Sequence, residues 1–173
     1  MPIALRAFEM SDAPALHRMF NDPGLVGRRY IEQDHGPRSR RQIDDLLGTW
    51  IKAEDETHLA VADGEDLLGF AVLDPSWEPL APFVVVVIDP GHQRKGYGAE
   101  ALELLLDYVF RTTPAIGAMT WIDEWNDGGL AFANAFGFRE AGRARREGIR
   151  DGTYYASVGL DLLREDWEAR SGN

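Results

Sequence analysis

The residues whose types and spacing best suit chemistry sit between two apolar segments. Five β-branched residues, Val84-Val85-Val86-Val87-Ile88, run into Asp89-Pro90-Gly91-His92-Gln93-Arg94-Lys95-Gly96-Tyr97-Gly98, and an apolar-periodic run follows from Ala99 to Arg111. Gly96 and Gly98 can take positive φ or admit another molecule close to the backbone, and amides entering a first helical turn lack intrahelical partners. With Gln93, Arg94 and Lys95 beside them, such a turn suits an anion, a pyrophosphate in particular. The spacing fits neither the dinucleotide fingerprint, which needs a third glycine, nor the phosphate loop that ends Gly-Lys-Ser/Thr. An ordinary strand-to-helix turn would carry the same glycines. There is no cysteine, which excludes a disulfide framework, a thiolate metal site and a cysteine nucleophile. The four histidines show no paired ligand spacing, so no metal is expected.

The elements that must hold this loop follow from periodicity. A continuous β-branched run cannot alternate inside and outside, so the Val84–Ile88 strand is expected to be covered on both faces. Ile3 to Phe8 reads as a first strand, and Ser11 or Asp12 as the N-cap of a helix with Pro14 in its first turn. Gly24 to Ser39, with Tyr30, Glu32, Asp34 and His35, reads as a long loop with room for a short helical turn, and Ile43, Leu46, Leu47, Trp50 and Ile51 mark an amphipathic helix. Two strands flank Asp63–Asp66. The proline-rich Asp74–Pro82 stretch cannot be regular, and Trp77 within it is read as a packed plug or an aromatic wall. Ile116–Ile122 reads as a fifth strand, Asp127-Gly128-Gly129 opens a helix with Gly137 as its left-handed cap, and Asp151-Gly152 marks a closing hairpin. The Arg143, Arg145, Arg146 and Arg150 cluster on that hairpin reads as a solvated edge or a phosphate contact. Leu162 to Arg170 reads as a short helix or tail carrying Trp167.

Two segments carry a resemblance. Gln93-Arg94-Lys95-Gly96-Tyr97-Gly98 after Ile88-Asp89-Pro90 is similar to motif A of the GNAT acetyltransferase superfamily, the loop that binds the pyrophosphate of acetyl-coenzyme A. Asn126, followed by Gly137-Phe138, is similar to the family's Asn…Gly-Phe segment, and the order β-α-α-β-β-β-α-β-α-β-β matches its topology. Gly142-x-x-Arg145, Asp151-Gly152-x-Tyr154 and the Leu162–Trp167 ending resemble the ribosomal-protein N-terminal and spermidine acetyltransferase subgroup. The resemblance implies an α/β fold: a mixed, mostly antiparallel sheet of six to seven strands, splayed between strands four and five and flanked by about four helices. It implies acetyl-CoA as co-substrate, with contacts from Val86, Val87, Ile88, Gln93, Arg94, Lys95, Gly96, Tyr97, Gly98, Ala99, Asn126 and Phe132. The implied reaction moves an acetyl group to a primary amine, of a small molecule or a peptide N-terminus, by direct attack in a ternary complex. Glu124 is the preferred general base, Asp123 the second, and Asp89 a further carboxylate nearby. Seven residues after the Asn, where many members have a Tyr that protonates the leaving thiolate, this sequence has Ala133; water, Tyr97, Tyr154 or Tyr155 could substitute. That departure keeps an acyl-CoA-binding sensor without turnover as the alternative.

At 173 residues the chain is expected to form a single domain, 1–173. A net charge of −11 argues against nucleic acid as a partner and favours a cationic acceptor. No apolar run is long enough for a membrane span, and the first residues lack a signal-peptide layout, so the expected location is the cytoplasm; a homodimer is compatible with all of this.

Overall fold

The computed structural model describes residues 2–26 and 37–171. The elements in order are β1 (Ala4–Ala7), a 3-10 turn, α1 (Ala13–Met19), α2 (Pro23–Val26), α3 (Arg40–Lys52), β2 (Thr57–Asp63), β3 (Asp66–Asp74) and β4 (Phe83–Ile88). After a second 3-10 turn come α4 (Tyr97–Thr112), β5 (Gly117–Asp123), α5 (Asp127–Ala135), β6 (Arg139–Arg150), β7 (Thr153–Leu163) and α6 (Arg164–Ser171). The seven strands form one sheet in the order β1-β2-β3-β4-β5-β7-β6, antiparallel where β1, β2 and β3 pair in turn and where β7 pairs with β5 and β6. The parallel pair is β4 with β5, registered at Phe83 opposite Met119.

The chain divides into two compact units, Met1–Asp74 with Val85–Asp107, and Pro75–Val84 with Tyr108–Asn173. In the first, Leu16, Met19 and Phe20 of the α1 segment and Ile43 and Leu47 of α3 bury against Ala60 and Phe70 of the sheet. Burying such side chains contributes roughly 1.5–3 kcal/mol each. Helix α3 starts where the sequence allows a capping box: Ser39 Oγ accepts from the Gln42 amide at 3.3 Å, and Gln42 Oε1 accepts from the Ser39 amide at 2.8 Å. Asp12 is the N-cap of α1 yet spends its carboxylate elsewhere, on the Glu9 amide at 2.9 Å and the Arg6 guanidinium at 2.8 Å. In the second unit Phe110, Leu160, Leu162 and Trp167 are buried. Arg164 fastens the end of α4, its Nε donating to Ala115 O at 2.8 Å and its guanidinium also reaching Phe110 O and Thr113 O.

Several expectations are corrected. Strand β4 is not covered on both faces: Val84 and Ile88 are buried, whereas Val85, Val86 and Val87 keep partial exposure. Trp77 is 81% exposed and therefore is not a packed plug. The stretch from Gly24 begins inside α2, the short helical turn that the sequence allowed, and Tyr30, Glu32, Asp34 and His35 lie outside the described residues. Among the described residues there are six α-helices, and Leu162, read as the start of the last of them, lies buried in β7 ahead of it.

Candidate active site

In the first unit, β4 delivers the chain into the glycine loop. The Asp89 amide donates to Leu68 O at 2.9 Å, and the Asp89 carboxylate accepts from the Gly91 amide at 3.0 Å, capping the 3-10 turn Pro90–His92. Asp89 is thus a structural acid. Gln93 turns back, its Nε2 donating to Ile88 O at 2.9 Å, and Lys95 Nζ donates to Gly91 O at 2.9 Å. Two residues hold positive φ, Gly96 at 90° and Arg94 at 61°. Only the first was legible as a glycine requirement; Gly98 has no such φ and lies within α4. A side chain at Gly96 would meet nothing within 4 Å, so the backbone there faces open space. The first bond into α4 runs from the Glu100 amide to Gly96 O at 3.1 Å, which leaves the amides of Tyr97, Gly98 and Ala99 at the head of a sixteen-residue helix without intrahelical acceptors. A positive dipole end, exposed Arg94 and Lys95 and an open glycine fit a pyrophosphate.

In the second unit, β5 ends at Asp123, which lies opposite Ser157 of β7. Burial pushes the Asp123 carboxyl above the ordinary carboxylate value, and the Glu147 charge adds to it; the neighbouring polar groups of Ser157 and Trp125 and the charge of Arg150 pull the other way. Glu124 sits differently. Its amide donates to Ala156 O at 2.9 Å, its Oε1 accepts from the Ala156 amide at 2.7 Å, and its Oε2 lies 3.6 Å from Arg143 Nη1. Asn126 is the N-cap of α5, its Oδ1 accepting from the Gly129 amide at 2.9 Å. The approach of the Asn126 side chain leaves no room for a Cβ at Gly129, which explains the glycine. Phe132 is half-buried with its ring 5.1 Å from that of Phe136, and Ala133 is buried. Of the tyrosines offered as acids, Tyr155 is buried edge-on to Trp125 at 6.2 Å, and Tyr154 is exposed beneath Arg146.

A sequence profile described as Acetyltransferase (GNAT) domain matches residues 3–139, which is most of the chain and includes the whole glycine loop and the Asn126–Phe138 segment. The chain belongs to the GNAT acetyltransferase family. It is an acetyl-CoA-dependent N-acetyltransferase, and acetyl-CoA is its co-substrate. No curated protein sequence matches it. Among solved structures it is similar to the spermidine N-acetyltransferase from Vibrio cholerae in complex with CoA and spermine, at a TM-score of 0.82 and 21% identity, covering 96% of this chain and 98% of that one. It is also similar to a chimera of the Vibrio cholerae spermidine N-acetyltransferase SpeG with hSSAT, at a TM-score of 0.81 and 22% identity, covering 96% and 98%. At these identities the likeness shows the fold.

For this GNAT enzyme the sensor alternative gains no support from the family match. Among the described residues no cluster of three or more His, Asp or Glu is arranged to hold a metal ion, and no helix is long and apolar enough to cross a membrane. The first unit contains Val86, Val87, Ile88 and Gln93 through Ala99; the second contains Asp123, Glu124, Asn126 and Phe132. Sequence reasoning missed Ser157, Trp125 and Glu147 as the surroundings of Asp123. Ser157 was within reach, since a polar residue in an otherwise apolar return strand is a signal in itself.

Proposed function

We propose that this enzyme acetylates a primary amine, of a small molecule or a peptide N-terminus, by direct attack in a ternary complex. The observation that carries the reading is the Gln93–Gly98 loop, where two positive-φ residues turn the chain so that the amides of residues 97–99 open α4. In this reading those amides, with Arg94 and Lys95, hold the pyrophosphate. Val86 and Val87, partly exposed on β4, line the donor.

Acetyl-CoA, when bound, supplies the acetyl group as a thioester whose carbon–sulfur bond breaks as the nitrogen–carbon bond forms. Asp123 takes the proton that the ammonium must lose before it can attack, a role its raised affinity for protons supports. Glu124, preferred from sequence, is held by the Ala156 amide and Arg143 and serves the β5–β7 pairing in this reading. Water returns a proton to the leaving thiolate, because Ala133 offers none. Residues 1–173 act as one functional domain, a reading supported by the profile match running through both units. The enzyme works in the cytoplasm, where acetyl-CoA is available, and a homodimer would be detected by light scattering.

The test is thiol release with a panel of polyamines, amino acids and N-terminal peptides, beside calorimetry with acetyl-CoA. Spermidine and spermine belong in the panel because of the solved structures' substrates. Release with any amine is the expected result. Binding without release across the panel would return the sensor, and no binding would remove the donor site assigned to the loop.

A further inference from the structure

Strand β6 carries a feature that acetyl-CoA binding does not use. Ala144 lies opposite Ser157 and Gly148 opposite Tyr155, so Arg145, Arg146 and Glu147 bulge against Ala156 alone. Arg146 holds a φ of 57° there, a conformation costly for any residue with a side chain. The bulge borders a concavity of about 590 Å³ lined by Arg143, Arg145 and Arg146. Arg143 is committed to Glu140 at 2.7 Å and to Glu124 at 3.6 Å. Arg146 lies over the Tyr154 ring at 5.2 Å, and among the described residues no acid pairs with Arg145 or Arg146. A charged, bulged edge strand discourages aggregation, but that purpose needs neither a left-handed arginine nor three guanidinium groups around one hollow. Arg143 already has its carboxylates, whereas the charges of Arg145 and Arg146 repel each other until an anion joins them.

The same bulge reaches the candidate base. Asp123, Ser157 and Ala144 are in register across three strands, which puts the start of the bulge two strand spacings, about 10 Å, from Asp123. At its other end Glu147 acts on Asp123. We propose that the β6 bulge reads the acceptor: the amine lies at Asp123 and an oxyanion of the same molecule, carboxylate or phosphate, lies on Arg145 and Arg146. This rests on the reading that Asp123 faces the amine. It narrows the acceptor to amines that carry their own negative group, in contrast to polyamines.

The experiment compares ω-aminohexanoate and ω-aminohexyl phosphate with hexanediamine as acceptors for the full-length enzyme with acetyl-CoA. The oxyanion amines should exceed the diamine in kcat/KM by about tenfold or more, as charge-assisted bidentate contacts predict. The R145A/R146A variant, checked for folding by circular dichroism, should raise KM for the oxyanion amines and bring the ratio toward one. The R145K/R146K variant should restore part of it, since charge returns without the planar fork. The ratio of carboxylate to phosphate identifies which oxyanion is read. A diamine that equals or exceeds the oxyanion amines, or a preference that survives R145A/R146A, would overturn the proposal. If acetyl-CoA binds but no amine turns over, the acetyl-transfer reading fails separately. Calorimetric titration of the same amines into the CoA-loaded protein then decides: tighter oxyanion binding that R145A/R146A abolishes supports the site, and equal binding overturns it.

Discussion

At the scale of single residues, two neighbouring carboxylates have been given opposite environments. Asp123 is partly withdrawn from water and binds its proton more tightly than usual, while Glu124 is occupied by a backbone amide. Asp123→Asn should therefore lower kcat/KM by about a hundredfold or more, the usual weight of a general base. The acid limb of the pH–rate profile should vanish with it. The sign of the stability effect is separate. A carboxyl whose folded-state affinity for protons is raised favours folding below its unfolded value and loses that contribution as pH rises through the folded value. At neutral pH Asp123→Asn should leave the thermal midpoint unchanged or higher, so lost turnover could not be blamed on unfolding. Glu124→Gln keeps an oxygen for the Ala156 amide and should change turnover by only a few fold; Glu124→Ala should destabilise by about 1 kcal/mol in denaturant titration. A hundredfold loss in Glu124→Gln with Asp123→Asn active would exchange the two roles.

At the scale of elements, the loop and helix ends carry the testable contributions. Gly96→Val meets no neighbour, so its cost is conformational, about 1–3 kcal/mol at a φ of 90°. Acetyl-CoA affinity, read by calorimetry, should fall by about tenfold, whereas Gly91→Ala, at an ordinary φ, should be near neutral. Arg164→Ala exposes the carbonyls that finish α4 and should cost about 2–3 kcal/mol in chemical unfolding, and lysine should not repair it because one ammonium cannot span Ala115 and Thr113. Much of this scale was legible beforehand. Asp151-Gly152 announced its hairpin, and both residues take positive φ, at 51° and 76°. The bulge at Arg145–Glu147 was not legible, because inserted residues in a charged edge strand leave no periodicity to break. The exposure of Val85–Val87 was hidden for a related reason: a β-branched run states preference for a strand, not which neighbours cover it. Asp123 was visible as a strand-end acid, but its burial comes from β7 and Trp125, which sequence spacing does not bring to it.

At the scale of the whole molecule, the two units are built from alternating stretches of chain. The first closes only when Val85–Asp107 joins Met1–Asp74, and the second only when Pro75–Val84 joins Tyr108–Asn173. A fragment of residues 1–74, expressed alone, should lack cooperative thermal unfolding by circular dichroism, since Gly69 of β3 packs against the backbone of Val87 and Ile88, which it would lack. A sharp transition would show that β4 and α4 are dispensable to that unit. The crossings fall within regular elements: β4 begins in one unit and ends in the other, and so does α4. For the gene this has a consequence of its own. A recombination event between the codons for residues 75 and 107 cannot deliver either unit whole, so a break there splits the protein without yielding an exchangeable module.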